Sequence, residues 1–238
     1  MENGSKIPFY QKKNEYRKAG IGMLLSALLA VAAYFFNQWN MQTLINDRTE
    51  SGFSLFSILA TALKNMFPRL AHLAIGENRS FVFSFSTMIY VLISVIYFLA
   101  IFELLRLAYL DALQGKTVLE KTYRRDKYLI WRGGVFLALL LAFVALTCMP
   151  QYRGNHNDMQ GMYQSWSQVI DSAREQKLPG YMQMSCTLHR GFGFYCWILS
   201  LILAFLSIIY IFVLDTLNEV EMQREKMAQS SKKAGYDF

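Results

Sequence analysis

Apolar positions dominate four long stretches of the chain, and polar or charged positions dominate the segments between them. No Asp, Glu, Lys or Arg interrupts the windows 19–46, 80–102, 133–152 and 191–214. A helix rises about 1.5 Å per residue, so about 20 apolar residues cross the roughly 30 Å hydrocarbon core of a bilayer. Each window contains such a run. The pattern therefore predicts an all-α integral membrane protein built as a four-span helical bundle.

The four windows divide the chain into spans and connecting segments. We expect spans over residues 19–46, 80–102, 133–150 and 191–214. Around them lie a basic N-terminus (1–18), an outer loop (47–79), a basic cytoplasmic loop (103–132), a second outer loop (151–190) and a cytoplasmic tail (215–238).

Both outer loops carry apolar residues at helical spacing. In the first loop the apolar and polar residues of 54–67 fall on opposite stripes, and the uncharged core 51–63 is too short to span. In the second loop a helix over 158–177 gathers five side chains on one stripe: Met159, Met162, Tyr163, Trp166 and Ile170. Such a stripe is typical of adaptable contacts with a partner protein, and packing within the chain is the alternative. We expect an amphipathic helix in each outer loop.

The distribution of basic residues predicts the orientation of the chain. The N-terminus, the middle loop and the tail hold 16 of the 24 Lys and Arg residues. Short loops rich in Lys and Arg are retained in the cytoplasm, so both termini and the middle loop are predicted cytoplasmic. The size of the chain and its short loops favour a bacterial inner membrane.

Composition and net charge narrow the class of protein further. Hydrophobic residues make up 54% of the chain and charged residues 17%, against about 25% charged in an ordinary soluble domain. This balance argues against a soluble enzyme, a disulfide-rich secreted module and a disordered tail. The net charge of +7 is explained by basic flanks that face anionic lipid headgroups. Nucleic-acid binding is not expected, because no segment interleaves basic residues with stacking aromatic residues.

A basic cluster in the middle loop is interpreted as a surface for lipid headgroups. It consists of Arg124, Arg125 and Lys127. A docking site for a cytoplasmic partner is the alternative interpretation of the same charges.

The first window also has features of a secretory signal sequence. It combines a basic leader, an apolar run and the triplet Ala30-Val31-Ala32. Cleavage near Ala32 would leave three spans. The apolar character continues to an interfacial Trp39, however, which favours a complete span.

Small residues recur every four positions in two of the predicted spans. They are Gly22, Ser26 and Ala30 in the first span and Gly134, Ala138 and Ala142 in the third. Small side chains on one face let another membrane helix approach closely, so these faces are predicted to form the tight contacts of the bundle. Chance is the alternative, since small residues are common in membrane helices.

The three cysteines, Cys148, Cys186 and Cys196, are all predicted near the outer face, where disulfides persist in an oxidising compartment. Pairing of Cys148 with either of the others would fasten the second outer loop over the bundle, and three separate thiols are the alternative. The arrangement resembles the four-helix, quinone-linked disulfide-generating enzymes. Those enzymes need a Cys-x-x-Cys motif in the first outer loop, which has no cysteine here. The chain also lacks the Cys-Cys-Gly motif of tetraspanins.

No residue pattern indicates catalysis, a cofactor or a metal centre. The three histidines, His72, His156 and His189, lack the spacing of known metal ligands. No carboxylate pair or Ser, His and Asp grouping stands out for acid-base or acyl-transfer chemistry. No Asp, Glu, His, Lys or Arg lies in the spans away from their ends, which argues against an ion-coupled transporter. We therefore predict a protein that is not an enzyme.

These observations favour a protein that acts through contacts with the lipid bilayer and with other membrane proteins or further copies of itself. The favoured interpretation is a subunit or assembly factor of an envelope complex of the secretion or conjugation type. A membrane immunity or exclusion protein is one alternative. A homo-oligomeric channel or transporter component is another, and it rests on a short polar line in the second span formed by Ser84, Thr87 and Ser94. Such a line is more often used for hydrogen bonds between helices.

Overall fold

The structure is a computed structural model that describes residues 13–44, 48–73, 79–110 and 125–234. In chain order its elements are α1 (Lys13–Phe35), β1 (Trp39–Leu44), β2 (Arg48–Phe53), α2 (Leu55–Leu73), α3 (Arg79–Tyr109), α4 (Arg125–Cys148), α5 (Pro150–Glu175), a 3-10 turn (Tyr181–Gln183), β3 (Ser185–Arg190) and α6 (Phe192–Ala234). The chain is therefore mostly helical.

Four helices are long and apolar enough to cross a membrane, as the windows free of charge predict. The qualifying stretches are Glu15–Phe35 in α1, Phe85–Tyr109 in α3, Ile130–Cys148 in α4 and Phe192–Ala228 in α6. Less than half of the residues in each apolar stretch are buried within the chain. The remaining apolar surface points outward, as it does in helices that face lipid. These four helices are compatible with a multi-pass membrane protein.

A small β-sheet corrects the all-α expectation. Its three antiparallel strands lie in the order β2-β1-β3, so β1 is the central strand. Met41 pairs with Ser51 on one side and with Leu188 on the other. The two segments predicted as outer loops thus each pair with β1, which occupies the end of the window predicted as the first span.

The first apolar helix is shorter than the window 19–46. Helix α1 ends at Phe35, and residues 39–44 form β1 instead. Burial alternates along this uncharged segment: Met41 and Thr43 are buried, while Asn40 and Gln42 are half-buried. A period of two is typical of a strand with one covered face.

The helix predicted over 158–177 begins directly after the third apolar helix. Met149 has extended backbone angles (φ −68°, ψ 148°), and Pro150 occupies the first turn of α5. Proline is well tolerated at this position, because its missing N–H would have no partner there. The chain therefore turns at Met149 and starts a new helix of 26 residues.

The described chain folds into two compact units. One, which we call the sheet unit, comprises Leu28–Ile101 and Ala138–Ser200. Its core contains Tyr34, Tyr90 and Tyr97, all fully buried. The Tyr34 hydroxyl donates to Ser94 Oγ (2.9 Å), and the Tyr97 hydroxyl donates to the Ala30 carbonyl (2.8 Å).

The other unit, which we call the terminal unit, comprises Met1–Ala27, Phe102–Leu137 and Leu201–Phe238. Two tyrosine–carboxylate hydrogen bonds join α1 to α6 within it. The Tyr16 hydroxyl donates to Asp215 Oδ1 (2.9 Å), and the Tyr210 hydroxyl donates to Glu15 Oε2. Each helix thus supplies one donor and one acceptor, so the pairing fixes their relative register.

Candidate functional site

The junction between the sheet and the apolar helices is built from backbone packed against backbone. The Gly191 N–H donates to the Gln38 carbonyl (2.8 Å), and the Gly193 N–H donates to the Asn37 carbonyl (2.9 Å). A Cβ at Gly191 would overlap the Asn37 carbonyl, and one at Gly193 would overlap the Phe36 carbonyl. Only glycine fits at these two positions, and the sheet is therefore held directly at the end of α1 and the start of α6.

A buried glutamine closes the end of α1. Gln38 is fully buried, and its Nε2 donates to the Ala33 carbonyl (2.5 Å). Its backbone N–H donates to the Phe53 carbonyl (2.7 Å), at the end of β2. The last carbonyls of a helix need partners of this kind, because no further turn supplies them.

Helix α2 begins with a reciprocal serine cap. The Ser57 N–H donates to Ser54 Oγ and the Ser54 N–H donates to Ser57 Oγ, both at 3.0 Å. This is the capping-box geometry, with a serine in place of the usual Glu or Gln at its second position. Leu55, Ile58 and Ala62 form the buried face of the helix, which fixes α2 against the rest of the sheet unit.

Helix α5 contacts α2, β1 and β3 along one face. Its buried residues lie in its first ten and its last six residues: Tyr152, Met159, Ile170 and Ala173. Between them, three apolar side chains remain exposed by 39–49%: Met162, Trp166 and Val169. We call these three residues the α5 stripe. The chain itself therefore covers only part of the apolar face of α5.

The predicted partner surface is divided by this packing. Met159 and Ile170 are buried within the chain, and Tyr163 is half-buried. Met162 and Trp166 are exposed. Packing within the chain accounts for Met159 and Ile170, and a partner surface at Met162 and Trp166 stays a prediction.

A basic and aromatic cleft lies where β1, β3, α4 and α5 meet. It has a volume of about 230 Å³, and its lining residues are Trp39, Thr147, Tyr152, Arg153, His156 and Arg190. We call it the Trp39 cleft. The Arg190 guanidinium lies 3.7 Å from the centre of the Trp39 ring, and the His156 ring centre lies 4.8 Å from the same ring. Two cationic side chains and a histidine are thus gathered around one indole.

Tyr152 is one of the residues that line the Trp39 cleft. It is buried and packs edge-to-face on Phe53, with ring centres 5.3 Å apart. Burial raises the pKa of its hydroxyl above the ordinary value of 10.0, and the neighbouring Trp39 indole and Arg190 charge oppose that rise. The hydroxyl is therefore protonated at neutral pH and remains available as a hydrogen-bond donor.

The small-residue face of α1 is largely buried. Ser26 and Ala30 are fully buried, and a Cβ at Gly22 would overlap the Ser207 hydroxyl of α6. In α4 the residues differ from one another: Ala142 is buried, Ala138 is half-buried and Gly134 is exposed. No atom of the described residues lies within 4 Å of the place that a Cβ of Gly134 would occupy.

The three cysteines do not form a disulfide. Cys148 is exposed, Cys186 is half-buried and Cys196 is buried, and all three are free. No two of them lie at disulfide distance, which corrects the proposed staple across the second outer loop. Burial raises the pKa of the Cys186 thiol, so this thiol is less reactive than an ordinary one at neutral pH.

The polar residues of the second apolar helix serve contacts within the chain. Thr87 and Ser94 are buried, and Ser94 Oγ both accepts from Tyr34 and donates to the Tyr90 carbonyl (2.9 Å). The side chain of Ser84 lies outside the described part of the chain. Further along α3, Arg106 Nε donates to Glu103 Oε2 (2.8 Å) and the two side chains form an ion pair.

The predicted basic cluster of the middle loop falls outside what the structure describes. Arg124 is not among the described residues, and the side chains of Arg125 and Lys127, in the first turn of α4, are not described. Within the described ranges, no group of three or more His, Cys, Asp and Glu side chains is arranged to hold a metal ion.

Sequence reasoning missed the residues that build the junction and the Trp39 cleft. Trp39 was interpreted as an interfacial residue, and Arg190 contributed only to the charge count. The alternation of Ser185–Arg190, in which Cys186 and Leu188 are less exposed than their neighbours, was the available signal for β3. Comparison with protein-family models, with curated proteins and with solved structures finds no match for this chain.

Proposed function

We propose that the chain is a subunit or assembly factor of an envelope membrane complex, and that it binds a partner membrane protein through α5. In this proposal the termini lie in the cytoplasm, and the sheet and α5 lie outside a bacterial inner membrane. The chain contributes binding and positioning, and it catalyses no chemical step. The exposed α5 stripe is the observation that supports this function.

The composition of the α5 stripe suits a protein interface. Met162, Trp166 and Val169 follow the spacing i, i+4, i+7, which places them on one line along the helix. Tryptophan and methionine are enriched at the centres of interfaces, and tryptophan contributes a large share of the binding energy where it is buried. A partner that covers this line would bury three large apolar side chains that the described chain leaves in contact with solvent.

The support beneath the stripe favours binding without large rearrangement. Helix α5 is anchored near its start by Tyr152 and near its end by Ile170 and Ala173, all buried. An interface that is already ordered loses less conformational entropy on binding than a flexible segment does. The α5 stripe is thus presented on a fixed helix.

A channel receives less support from these contacts. The polar line that suggested a pore includes Thr87 and Ser94, which are buried, and Ser94 is engaged with Tyr34 and Tyr90. Hydroxyl groups used in this way join neighbouring helices.

Affinity purification from native membranes tests the proposal. Tagged wild-type protein is extracted under mild conditions, and the proteins that remain bound at stoichiometric levels are identified by mass spectrometry. We expect a foreign membrane protein to be retained, and we expect Trp166→Ala to lower its amount by about tenfold, as loss of a central interface residue does. The matched control is Gln164→Ala, which removes an exposed side chain from the opposite face of α5.

Two results would count against this function. Retention of the same partner by wild type and Trp166→Ala would show that the α5 stripe is not the binding surface. Recovery of a pure homo-oligomer would instead favour a channel or a free-standing exclusion factor.

A further inference from the structure

The Trp39 cleft is lined by two arginines and, among the described residues, by no acid. The arginines are Arg153 and Arg190. Among the residues that the structure describes, no carboxylate lies within 4.0 Å of either guanidinium group, although other arginines are paired. Arginine side chains without acidic partners favour an anion, and phosphate oxygens match their fork of donors.

One donor of the cleft, Arg190, is held in place before any ligand arrives. Arg190 lies between two rings, 3.7 Å from the centre of Trp39 and 4.6 Å from that of Phe194. Trp39 and Arg190 are also partners across the β1–β3 ladder, which fixes their backbones. A guanidinium held in this way loses little side-chain entropy on binding an anion.

An unused donor points to a missing acceptor at the same place. Trp39 Nε1 is buried and makes no well-formed hydrogen bond with a described residue, although the Tyr152 hydroxyl lies near enough to interact with it. A buried N–H without a partner costs free energy, which an acceptor atom of a ligand would recover. This observation is independent of the charge of the cleft.

The position of the cleft along the chain suggests which anion is available. Thr147 is the penultimate residue of the apolar stretch Ile130–Cys148, and Arg190 precedes the stretch Phe192–Ala228 by two residues. Helix ends of this kind, with Trp and Tyr beside them, lie at the level of lipid headgroups. The cleft volume of about 230 Å³ is below the range of about 300–1,000 Å³ usual for a complete organic ligand. It suits one headgroup better than a whole soluble cofactor.

We propose that the Trp39 cleft binds the phosphate group of an anionic phospholipid, with Arg153 and Arg190 pairing with its oxygens and the Trp39 indole N–H donating to it. The lipid is held beside the junction of sheet and helices. This site is separate from the α5 stripe, and the proposal does not depend on a protein partner.

Native mass spectrometry of the full-length protein in detergent tests the site. The protein is titrated with phosphatidylglycerol and, separately, with phosphatidylcholine of the same acyl chains. We expect wild type to bind the anionic lipid more tightly, and we expect Arg153→Gln to weaken that binding about tenfold. The matched control is Arg174→Gln, which removes the same charge from the far end of α5, where Arg174 pairs with Asp171 (3.6 Å).

A further variant extends the test, and circular dichroism verifies that every variant is folded. Arg190→Gln is expected to weaken binding of phosphatidylglycerol as Arg153→Gln does. Arg190→Gln could fail to fold because the contacts of Arg190 with two rings are lost. In that case Arg153→Gln still tests the proposal, since the Arg153 side chain is exposed and its removal should not disturb the fold. Equal affinity for phosphatidylglycerol in Arg153→Gln, Arg174→Gln and wild type would overturn the proposal.

Inorganic phosphate distinguishes the two sources of the anion. We expect bound phosphatidylglycerol to survive a large molar excess of inorganic phosphate, because the acyl chains contribute to its binding. Displacement of the lipid by inorganic phosphate would overturn the assignment to a lipid.

Discussion

Single residues at the junction have little freedom to change, and Gly191 has the least. Its backbone lies against the Asn37 and Gln38 carbonyls, so that a methyl group has no space. We expect Gly191→Ala to destabilise the protein by about 2 kcal/mol or more, because backbone atoms would have to move apart. The measurement is the midpoint of thermal unfolding in detergent, followed by tryptophan fluorescence.

Gly161 supplies the control for that substitution. It lies on the exposed side of α5, and no atom of the described residues lies within 4 Å of the place its Cβ would occupy. Because alanine is the better helix former, Gly161→Ala should be neutral or stabilise by about 0.5–1 kcal/mol. Equal unfolding midpoints for the two variants would contradict the close approach at Gly191.

At the scale of elements, the stability of α2 depends on its serine cap. Ser54→Ala removes the acceptor of the Ser57 N–H and is expected to cost about 1 kcal/mol. Faster hydrogen exchange in the first turn of α2 is the expected signature. Ser165→Ala is the control, since that hydroxyl bonds only the Gly161 carbonyl of its own exposed helix (3.0 Å). Unchanged exchange in Ser54→Ala would show that the cap does not hold the helix start.

The elements also show how far the sequence could predict this fold. The four apolar helices were predictable because length and absence of charge are local properties of the chain. The strands were not, because β1 pairs with β3 across about 145 residues and is itself free of charge. The window 19–46 therefore looked like one continuous span. The Trp39 cleft was hidden for the same reason, since residues 39, 147–156 and 190 meet only after the sheet has formed.

At the scale of the whole molecule, the basic residues predict a sidedness that labelling can check. In a background without native cysteines, Gln160→Cys on α5 should react with an impermeant maleimide in intact cells. Lys226→Cys on α6 should react only after permeabilisation, because the tail is expected in the cytoplasm. Both positions are exposed in the structure. Reversed labelling would show that the charge distribution does not set the orientation, and labelling of both in intact cells would contradict four spans.

The most direct test of the proposed function is photo-crosslinking from the α5 stripe in intact membranes. A photoreactive amino acid replaces Met162 in one variant and Gln164, an exposed residue on the opposite face of the same helix, in a second. We expect the variant at Met162 to give one dominant adduct with a foreign membrane protein, and the variant at Gln164 to give none above background. The same adducts from both positions, or an adduct at Met162 only with another copy of this chain, would contradict the account.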